Sequence, residues 1–244
     1  MPYSGIIGHG DRVILAHLAG IPVEEWAPFW VPIVVLLGGA TGTGKSTVAT
    51  DVAHRLGITR VTSTDFIRQT LRAYFSPSEM PAVHASSFEV ADIGGDIEAG
   101  FLEQTRCVLV GVQAAIERAL NEGWSMVIEG VHLVPGLVPR EIEGALVVNA
   151  VLQVESAEIH RQRFFVRDAA TGGVRGMQKY LEAMDSIRAL QERIVDRAAA
   201  YHVPVIESSD IERASGALLE EVFRAAVQLD PVGEAARRSA QPLR

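Results

Sequence analysis

The sequence predicts an α/β fold in which a five-stranded parallel sheet lies between two layers of helices. Three observations point to this fold class: short apolar runs recur along the 244-residue chain, amphipathic stretches separate them, and a glycine-rich loop joins the first run to a helix. Strands that alternate with helices in this way form a parallel sheet that is covered on both faces. The hydrophobic fraction of 48% is typical of a globular protein with such a core.

Five strands are predicted from short runs rich in β-branched residues and leucine, in the order IVVLL, RVTSTD, SMVIEG, ALVVNAVLQV and VPVIESS. Gly57 and Gly123 are predicted to end two helices, since glycine adopts the left-handed conformation that closes many of them. One domain is expected over 31–229, with an N-terminal arm over 1–30 and a flexible tail over 230–244. The predicted helices begin after Lys45, near Phe66, near Gly100, at Ser156, beyond Lys179 and near Ile211.

The loop between the first strand and the first helix carries the clearest chemical signal. Residues 39–46 read GATGTGKS and fit the phosphate-loop pattern G-x-x-x-x-G-K-[ST] without a mismatch. Glycines let main-chain amides point at phosphate oxygens, the lysine reaches the β and γ phosphates, and the serine hydroxyl ligates Mg²⁺. We therefore predict ATP and Mg²⁺ as cofactors, with Ser46 as the metal ligand. The predicted nucleotide-binding residues are Gly39, Ala40, Thr41, Gly42, Thr43, Gly44, Lys45, Ser46 and Thr47.

Two carboxylates follow predicted strands at the sheet edge where an open α/β fold binds its ligands. Asp65 closes RVTSTD and Glu129 closes SMVIE. A kinase needs one carboxylate to orient or deprotonate the acceptor hydroxyl, and we assign Asp65 this role. The alternative is that Thr62–Asp65 forms a capping box and Asp65 only stabilises its helix. Glu129 has the position of the second acidic phosphate-loop motif, with a solvated strand-end acid as the alternative.

Positive charge is concentrated in two segments of an otherwise acidic chain. On a helix from Ser156, Arg163 and Arg167 share one face and are predicted to form a lid that neutralises charge during transfer. The glycines of ATGGVRG are predicted as hinges. Arg68 and Arg72 follow Asp65 at helical spacing, which indicates an acceptor that is an acid or a phosphate ester. Exposed helix faces with surface ion pairs are the alternative for each arginine.

The fold class is thus that of a P-loop NTPase: three layers, a five-stranded parallel sheet and a helical lid. The net charge of −8 argues against nucleic acid as a partner, and no apolar run is long enough to span a membrane. The N-terminus lacks the pattern of a signal peptide, so we expect a cytoplasmic protein. The oligomeric state is left open, with a homodimer as one alternative.

The chain resembles the 2-phosphoglycerate kinase family in LLGGATGTGKST, VTSTDFIRQTLR, VHASSFE, GFLEQTRCVLVGVQAAIERA, VIEGVHLVPG, HRQRFFVR and VPVIE. The resemblance implies transfer of the γ phosphate of ATP to the free hydroxyl of 2-phosphoglycerate, giving 2,3-bisphosphoglycerate. It further implies that Asp65 acts on the acceptor hydroxyl and that Arg68 holds the acid groups of the acceptor. The residues that it places near the acceptor are His84, Ser86, Ser87, His132 and, behind them, Glu129.

Three functions therefore remain to be compared. The first is a kinase with an anionic acceptor, either 2-phosphoglycerate or a related hydroxy acid or sugar phosphate. The second is a kinase of a nucleoside, an antibiotic or a polyol, which would give Arg68 and Arg72 little to bind. The third is a nucleotide-dependent switch or binding module, which would leave STDFIR and the basic helix without a purpose.

Overall fold

The computed structural model describes residues 31–88, 97–171 and 177–228 of the chain. The predicted arm over 1–30, most of the predicted glycine hinge and the predicted tail over 230–244 lie outside these residues. Within them the fold class predicted from the sequence is confirmed, because a parallel sheet is flanked by helices on both faces.

The sheet contains the five predicted strands, all parallel, in the order β2-β3-β1-β4-β5. They span β1 Ile33–Gly39, β2 Val61–Ser63, β3 Met126–Glu129, β4 Leu146–Gln153 and β5 Val205–Glu207. The central strand β1 pairs with β3 on one side and with β4 on the other. After β1 the chain adds β2 and β3 on one side and then β4 and β5 on the other. Open α/β sheets bind ligands in the crevice that forms at the carboxyl ends of the strands where the order reverses in this way.

The helices are α1 Lys45–Arg55, α2 Thr64–Tyr74, α3 Ile97–Asn121, α4 Ala157–Thr171, α5 Met177–Glu182, α6 Met184–Ala200 and α7 Ile211–Gln228. A 3₁₀ helix over Pro81–His84, which the sequence pattern did not predict, follows α2. Lys179 lies inside α5, whereas a helix was expected to begin beyond it. Among the described helices, none combines the length and the apolar character needed to cross a membrane.

Alternate residues of β1 point into two different apolar layers. Val35 and Leu37 belong to the layer under α1 and α7, while Val34 and Leu36 belong to the layer under α3. Every residue of β1 is buried, as expected for a central strand of a sheet covered on both faces. The loop that follows β1 is therefore anchored on a strand that is buried along its whole length.

Candidate active site

The P-loop passes from β1 to α1 with three glycines at positive φ. Gly39 has φ 137°, and Gly42 and Gly44 each have φ 87°, a region that side chains rarely tolerate. Lys45 Nζ donates a hydrogen bond of 2.7 Å to the Ala40 carbonyl oxygen, so the amine is held inside the curve of the loop. The structure thus gives the loop the strand, turn and helix N-terminus on which phosphate binding depends.

Ser46 and Glu129 meet at the base of the loop. The Ser46 hydroxyl donates to Glu129 Oε1 over 2.9 Å, although 83 residues separate the two along the chain. Glu129 is the last residue of β3 and pairs in register with Leu37 of β1, so the sheet itself brings the carboxylate here. A hydroxyl and a carboxylate are hard oxygen ligands of the kind that Mg²⁺ takes beside phosphates and water, so this pair fits the predicted metal.

Asp65 lies in the first turn of α2, but it does not form the capping box expected over Thr62–Asp65. The N-cap is Ser63, whose hydroxyl accepts from the Phe66 amide over 3.1 Å, whereas the capping box was expected to start at Thr62. Asp65 is therefore not the acid that closes a capping box. Its side chain is 68% exposed, and its Oδ1 lies 3.5 Å from Arg68 Nε. An ion pair this open contributes little to stability.

The predicted acceptor residues after α2 gather around the 3₁₀ helix, in a segment, residues 81–88, that we call the acceptor turn. Arg68 Nη1 donates to the Val83 carbonyl at 3.3 Å and to the Ala85 carbonyl at 2.7 Å, so this arginine holds the turn. His84 Nε2 donates to the Phe75 carbonyl at 2.9 Å. Ser87 is buried, and Ser86 Oγ lies 3.1 Å from Lys179 Nζ of α5.

His132 is buried behind this turn. Its Nδ1 lies 2.9 Å from Thr64 Oγ1 and its Nε2 lies 2.9 Å from Gln104 Oε1. Burial lowers the pKa of His132 to about 3, and Asp65 opposes this only partly. The ring is therefore neutral near pH 7, and with its partners it joins α2, α3 and the segment after β3.

Helix α4 packs against the P-loop through the face predicted from its spacing. His160 Nε2 donates to the Thr41 carbonyl at 2.8 Å, and the His160 and Phe164 rings stack with centroids 5.6 Å apart. Arg163 donates to the Ser208 carbonyl and lies 3.5 Å from the Gly42 carbonyl. Burial lowers the pKa of Arg163, while Glu207 acts in the opposite direction. The side chain of Arg167 lies outside the described part of the chain.

Helices α4 and α5, which together we call the lid, also contact the acceptor turn. Phe164 stacks on Tyr180 of α5 with centroids 5.1 Å apart, and Tyr180 lies 5.8 Å from Phe88 at the end of the turn. Lys179 Nζ lies 5.8 Å from the Phe88 centroid. The lid thus forms one continuous contact from the P-loop to the acceptor turn.

A cleft of about 580 Å³ opens between these elements. Its walls include Lys45 and Ser46 of the P-loop, Glu129 at the end of β3, Asp65 of α2 and Arg163 of α4. The structure therefore brings these five predicted residues together. Arg72 lies half-buried near the end of α2. The lining of this cleft does not include six other predicted acceptor residues, which are Arg68, Arg72, His84, Ser86, Ser87 and His132.

Sequence reasoning missed two residues that shape this region. Ser208, directly after β5, donates from its hydroxyl to the Thr43 carbonyl at 2.7 Å and so supports the P-loop from a strand that is separated from β1 by β4. Gln104 was missed although a signal exists: with Phe101 and Val108 it lies on the buried face of α3, where a polar residue requires a partner.

Known proteins resemble this chain over most of its length. The 2-phosphoglycerate kinases of Pyrococcus furiosus and Thermococcus kodakarensis are each 38% identical to it, over 205 and 204 residues. These alignments cover 82% and 80% of this chain and 67% of each relative. Among solved structures, a shikimate kinase from Acinetobacter baumannii matches 82% of this chain and 94% of its own, with a TM-score of 0.44 and 16% identity. No family profile matches the chain.

The identity to these relatives and the share of each that is aligned are sufficient to assign the family. The aligned relatives are kinases by name, and the chain folds into the P-loop architecture with the loop, the paired acid and the lid described above. The chain therefore belongs to the 2-phosphoglycerate kinase family and is a kinase.

Proposed function

We propose that this kinase transfers the γ phosphate of ATP to the free hydroxyl of 2-phosphoglycerate, giving 2,3-bisphosphoglycerate. The observation that carries the proposal is the cleft whose lining includes the P-loop, Glu129 and Asp65. Donor phosphates on one wall and a solvent-exposed carboxylate on the other are what direct transfer to an alcohol requires. The acceptor itself is taken from the names of the relatives.

On the donor side, each residue has a separate task. The amides of the P-loop and Lys45 bind the β and γ phosphates. Ser46 and Glu129, which already share a hydrogen bond of 2.9 Å, would hold Mg²⁺. The ion would neutralise charge on the phosphates. Arg163 lies at the mouth of the loop, where its guanidinium adds positive charge as the phosphoryl group moves.

On the acceptor side, Asp65 is the group that orients and deprotonates the hydroxyl. Its exposed carboxylate is accessible to a substrate, and it lines the same cleft as Lys45. Removal of the hydroxyl proton leaves an alkoxide oxygen that attacks the γ phosphorus, while the bond from phosphorus to the β-phosphate oxygen breaks and ADP leaves.

The acid groups of the acceptor would lie against the acceptor turn. Ser86 and Ser87 supply hydroxyls there, and Lys179 brings a cation to within 3.1 Å of the Ser86 hydroxyl. Arg68 supports the same turn from below, through the Val83 and Ala85 carbonyls. In this arrangement Arg68 acts on the acceptor through the turn as well as by its charge.

The test is an acceptor screen with the purified protein, ATP and Mg²⁺. The panel contains 2-phosphoglycerate, 3-phosphoglycerate, glycerate, sugar phosphates, nucleosides and polyols, and each product is identified by mass spectrometry and phosphorus NMR. We expect ADP release to depend on 2-phosphoglycerate, with a bisphosphorylated product. A preference for 3-phosphoglycerate or a sugar phosphate would support an anionic acceptor but contradict 2-phosphoglycerate as its identity. ATP splitting that no alcohol accelerates would favour the nucleotide-dependent switch.

One observation favours a second candidate, a kinase of a neutral alcohol such as a nucleoside, an antibiotic or a polyol. The Arg68 side chain is only 12% exposed, and its Nη1 donates to two carbonyls. It therefore presents fewer accessible N–H donors to an anionic acceptor than its sequence position suggested. The same screen separates the two, because a neutral-alcohol kinase would release ADP with nucleosides or polyols and ignore phosphoglycerates.

A further inference from the structure

A chain of buried polar side chains runs behind the proposed acceptor site. Thr64, His132 and Gln104 are its members, and all three are fully buried. His132 lies between the other two, at 2.9 Å from each. Gln104 Nε2 continues the chain to the acceptor turn, at 2.6 Å from the Ala82 carbonyl and 3.0 Å from the Ala85 carbonyl.

The direction of each hydrogen bond follows from the groups that the Gln104 side-chain amide contacts. Carbonyl oxygens can only accept, so the amide nitrogen of Gln104 faces Ala82 and Ala85, and its oxygen faces His132. His132 Nε2 therefore donates to Gln104, and His132 Nδ1 accepts from the Thr64 hydroxyl. Both N–H groups and the oxygen of Gln104 are used, as a buried amide requires.

The two ends of this polar chain lie beside different groups of the proposed reaction. Thr64 immediately precedes Asp65, and its side chain fills the space next to Gly130, where an added Cβ would collide with the Thr64 hydroxyl. The other end holds the Ala85 carbonyl, directly before Ser86. A shift at Gln104 therefore changes the position of the acceptor turn relative to Asp65.

The same turn is held from a second helix. The Ala85 carbonyl accepts from Arg68 of α2 at 2.7 Å as well as from Gln104 of α3. A position that served packing alone would carry an apolar side chain, as Phe101 and Val108 do on the same face of α3. A buried amide at this place is costly unless all its partners are present, so it fixes one geometry of the turn.

We propose that Gln104 is a positioning residue for the phosphoryl acceptor: its two amide N–H groups hold the turn that carries Ser86 and Ser87 in register with Asp65. The inference rests on the proposed function of this site and adds a residue that does not line the cleft. It acts on the acceptor only, since the hydrogen bonds described for Gln104 lead to the turn and to His132, and not to the P-loop.

The experiment compares wild type with Gln104→Met, which keeps the length and volume of the side chain and removes its hydrogen bonds. We expect kcat/KM for 2-phosphoglycerate to fall by about tenfold or more, while the Kd of ATP, titrated without acceptor, changes by less than about twofold. A merely structural role would weaken both substrates together. Gln113→Met is the matched control, because Gln113 lies on the same helix, is exposed and donates from its side-chain amide to Glu117 at 2.8 Å; it should behave as wild type.

Gln104→Glu keeps the proposal testable if the methionine variant does not fold. It retains an oxygen for His132 and replaces the N–H donors that hold Ala82 and Ala85, so the same selective loss is expected. Wild-type values of kcat/KM in either folded variant, or equal losses for ATP and acceptor, would overturn the proposal. If wild type phosphorylates no hydroxy acid, the proposed function fails by itself. Amide hydrogen exchange over 81–88, expected to be faster in Gln104→Met, then decides the positioning role, and unchanged exchange refutes it.

Discussion

Replacing Gly42 with alanine should destabilise the protein through a contact between the P-loop and the lid. Gly42 has φ 87°, and an added Cβ would lie 2.6 Å from Phe164 Cζ and 2.9 Å from His160 Nε2. The Phe164 ring has little room to move aside, because it is buried and stacks on both His160 and Tyr180. The backbone strain and the steric contact should therefore both appear in the free energy of unfolding.

The expected magnitude follows from these two contributions. A left-handed backbone costs a residue with a Cβ about 1–2 kcal/mol, and overpacking a tight contact costs about 1–3 kcal/mol. The free energy of unfolding should thus fall by about 2–5 kcal/mol, which for a chain of this length lowers Tm by about 4–20 °C. Thermal unfolding followed by circular dichroism, without nucleotide, measures the change.

Gly123→Ala is the matched control for the strain. Gly123 has φ 67° and no atom within 4 Å of the added Cβ, so only the backbone cost of about 1–2 kcal/mol is expected. In the double variant Gly42→Ala/Phe164→Leu, the smaller side chain should relieve part of the contact and give a coupling of about 0.5–3 kcal/mol. If Gly42→Ala is no more destabilising than Gly123→Ala, the inferred contact between loop and lid is refuted.

Four further substitutions test the proposed reaction. Lys45→Ala should abolish acceptor-dependent ADP release, because a charged contact to the transferred phosphate is lost; substantial turnover would contradict this. Asp65→Asn should lower the transfer rate by about 10²–10⁴ with ATP affinity in titrations unchanged, and normal transfer would leave Asp65 without a catalytic task. Glu129→Gln should raise the Mg²⁺ concentration for half-maximal activity, since an amide is a weaker ligand than a carboxylate; an unaltered Mg²⁺ dependence would remove Glu129 from the metal site. Arg68→Ala should raise the KM of the acceptor and spare that of ATP, and equal weakening of both would count against an acceptor-side role.

The sheet was predictable from the sequence because its strands are short apolar runs bounded by clear breaks. IVVLL and MVIE are fully buried, and their pattern reports that burial directly. The helix stops at Gly57 and Gly123 were predictable for a similar reason, since both glycines have the positive φ that a helix end requires.

The start of α2 was less predictable, because several residues in TSTD can act as an N-cap. Thr62, Ser63 and Thr64 all have the necessary hydroxyl, and only the register of β2 against β3 decides that Ser63 takes the position. The capping box expected over Thr62–Asp65 is shifted by one residue for this reason, so that Ser63 and not Thr62 is the N-cap. Local sequence cannot choose between adjacent hydroxyls when a long-range pairing sets the end of the strand.

The site was predictable where one segment carries a whole function, as the P-loop does. The pairing of Ser46 with Glu129 and the position of the acceptor turn depend on contacts between residues 15 or more apart in sequence, which no local pattern encodes. The contact of Arg68 with the Val83 and Ala85 carbonyls is of the same kind. The charge of Arg68 suggested that it binds an anionic ligand, whereas its hydrogen bonds show that it also supports the turn.

The strand order gives the two proposed substrate sites unequal support from the sheet. The P-loop follows β1, which is paired along both sides. Asp65 comes shortly after β2, a three-residue strand that, among the described residues, lies at the edge of the sheet and pairs with β3 alone. Local opening reaches such margins more readily than the centre of a sheet. We therefore expect substitutions around α2 and residues 81–88, at the proposed acceptor site, to change which alcohol is phosphorylated without weakening ATP binding. The preferences for donor and acceptor could then change independently.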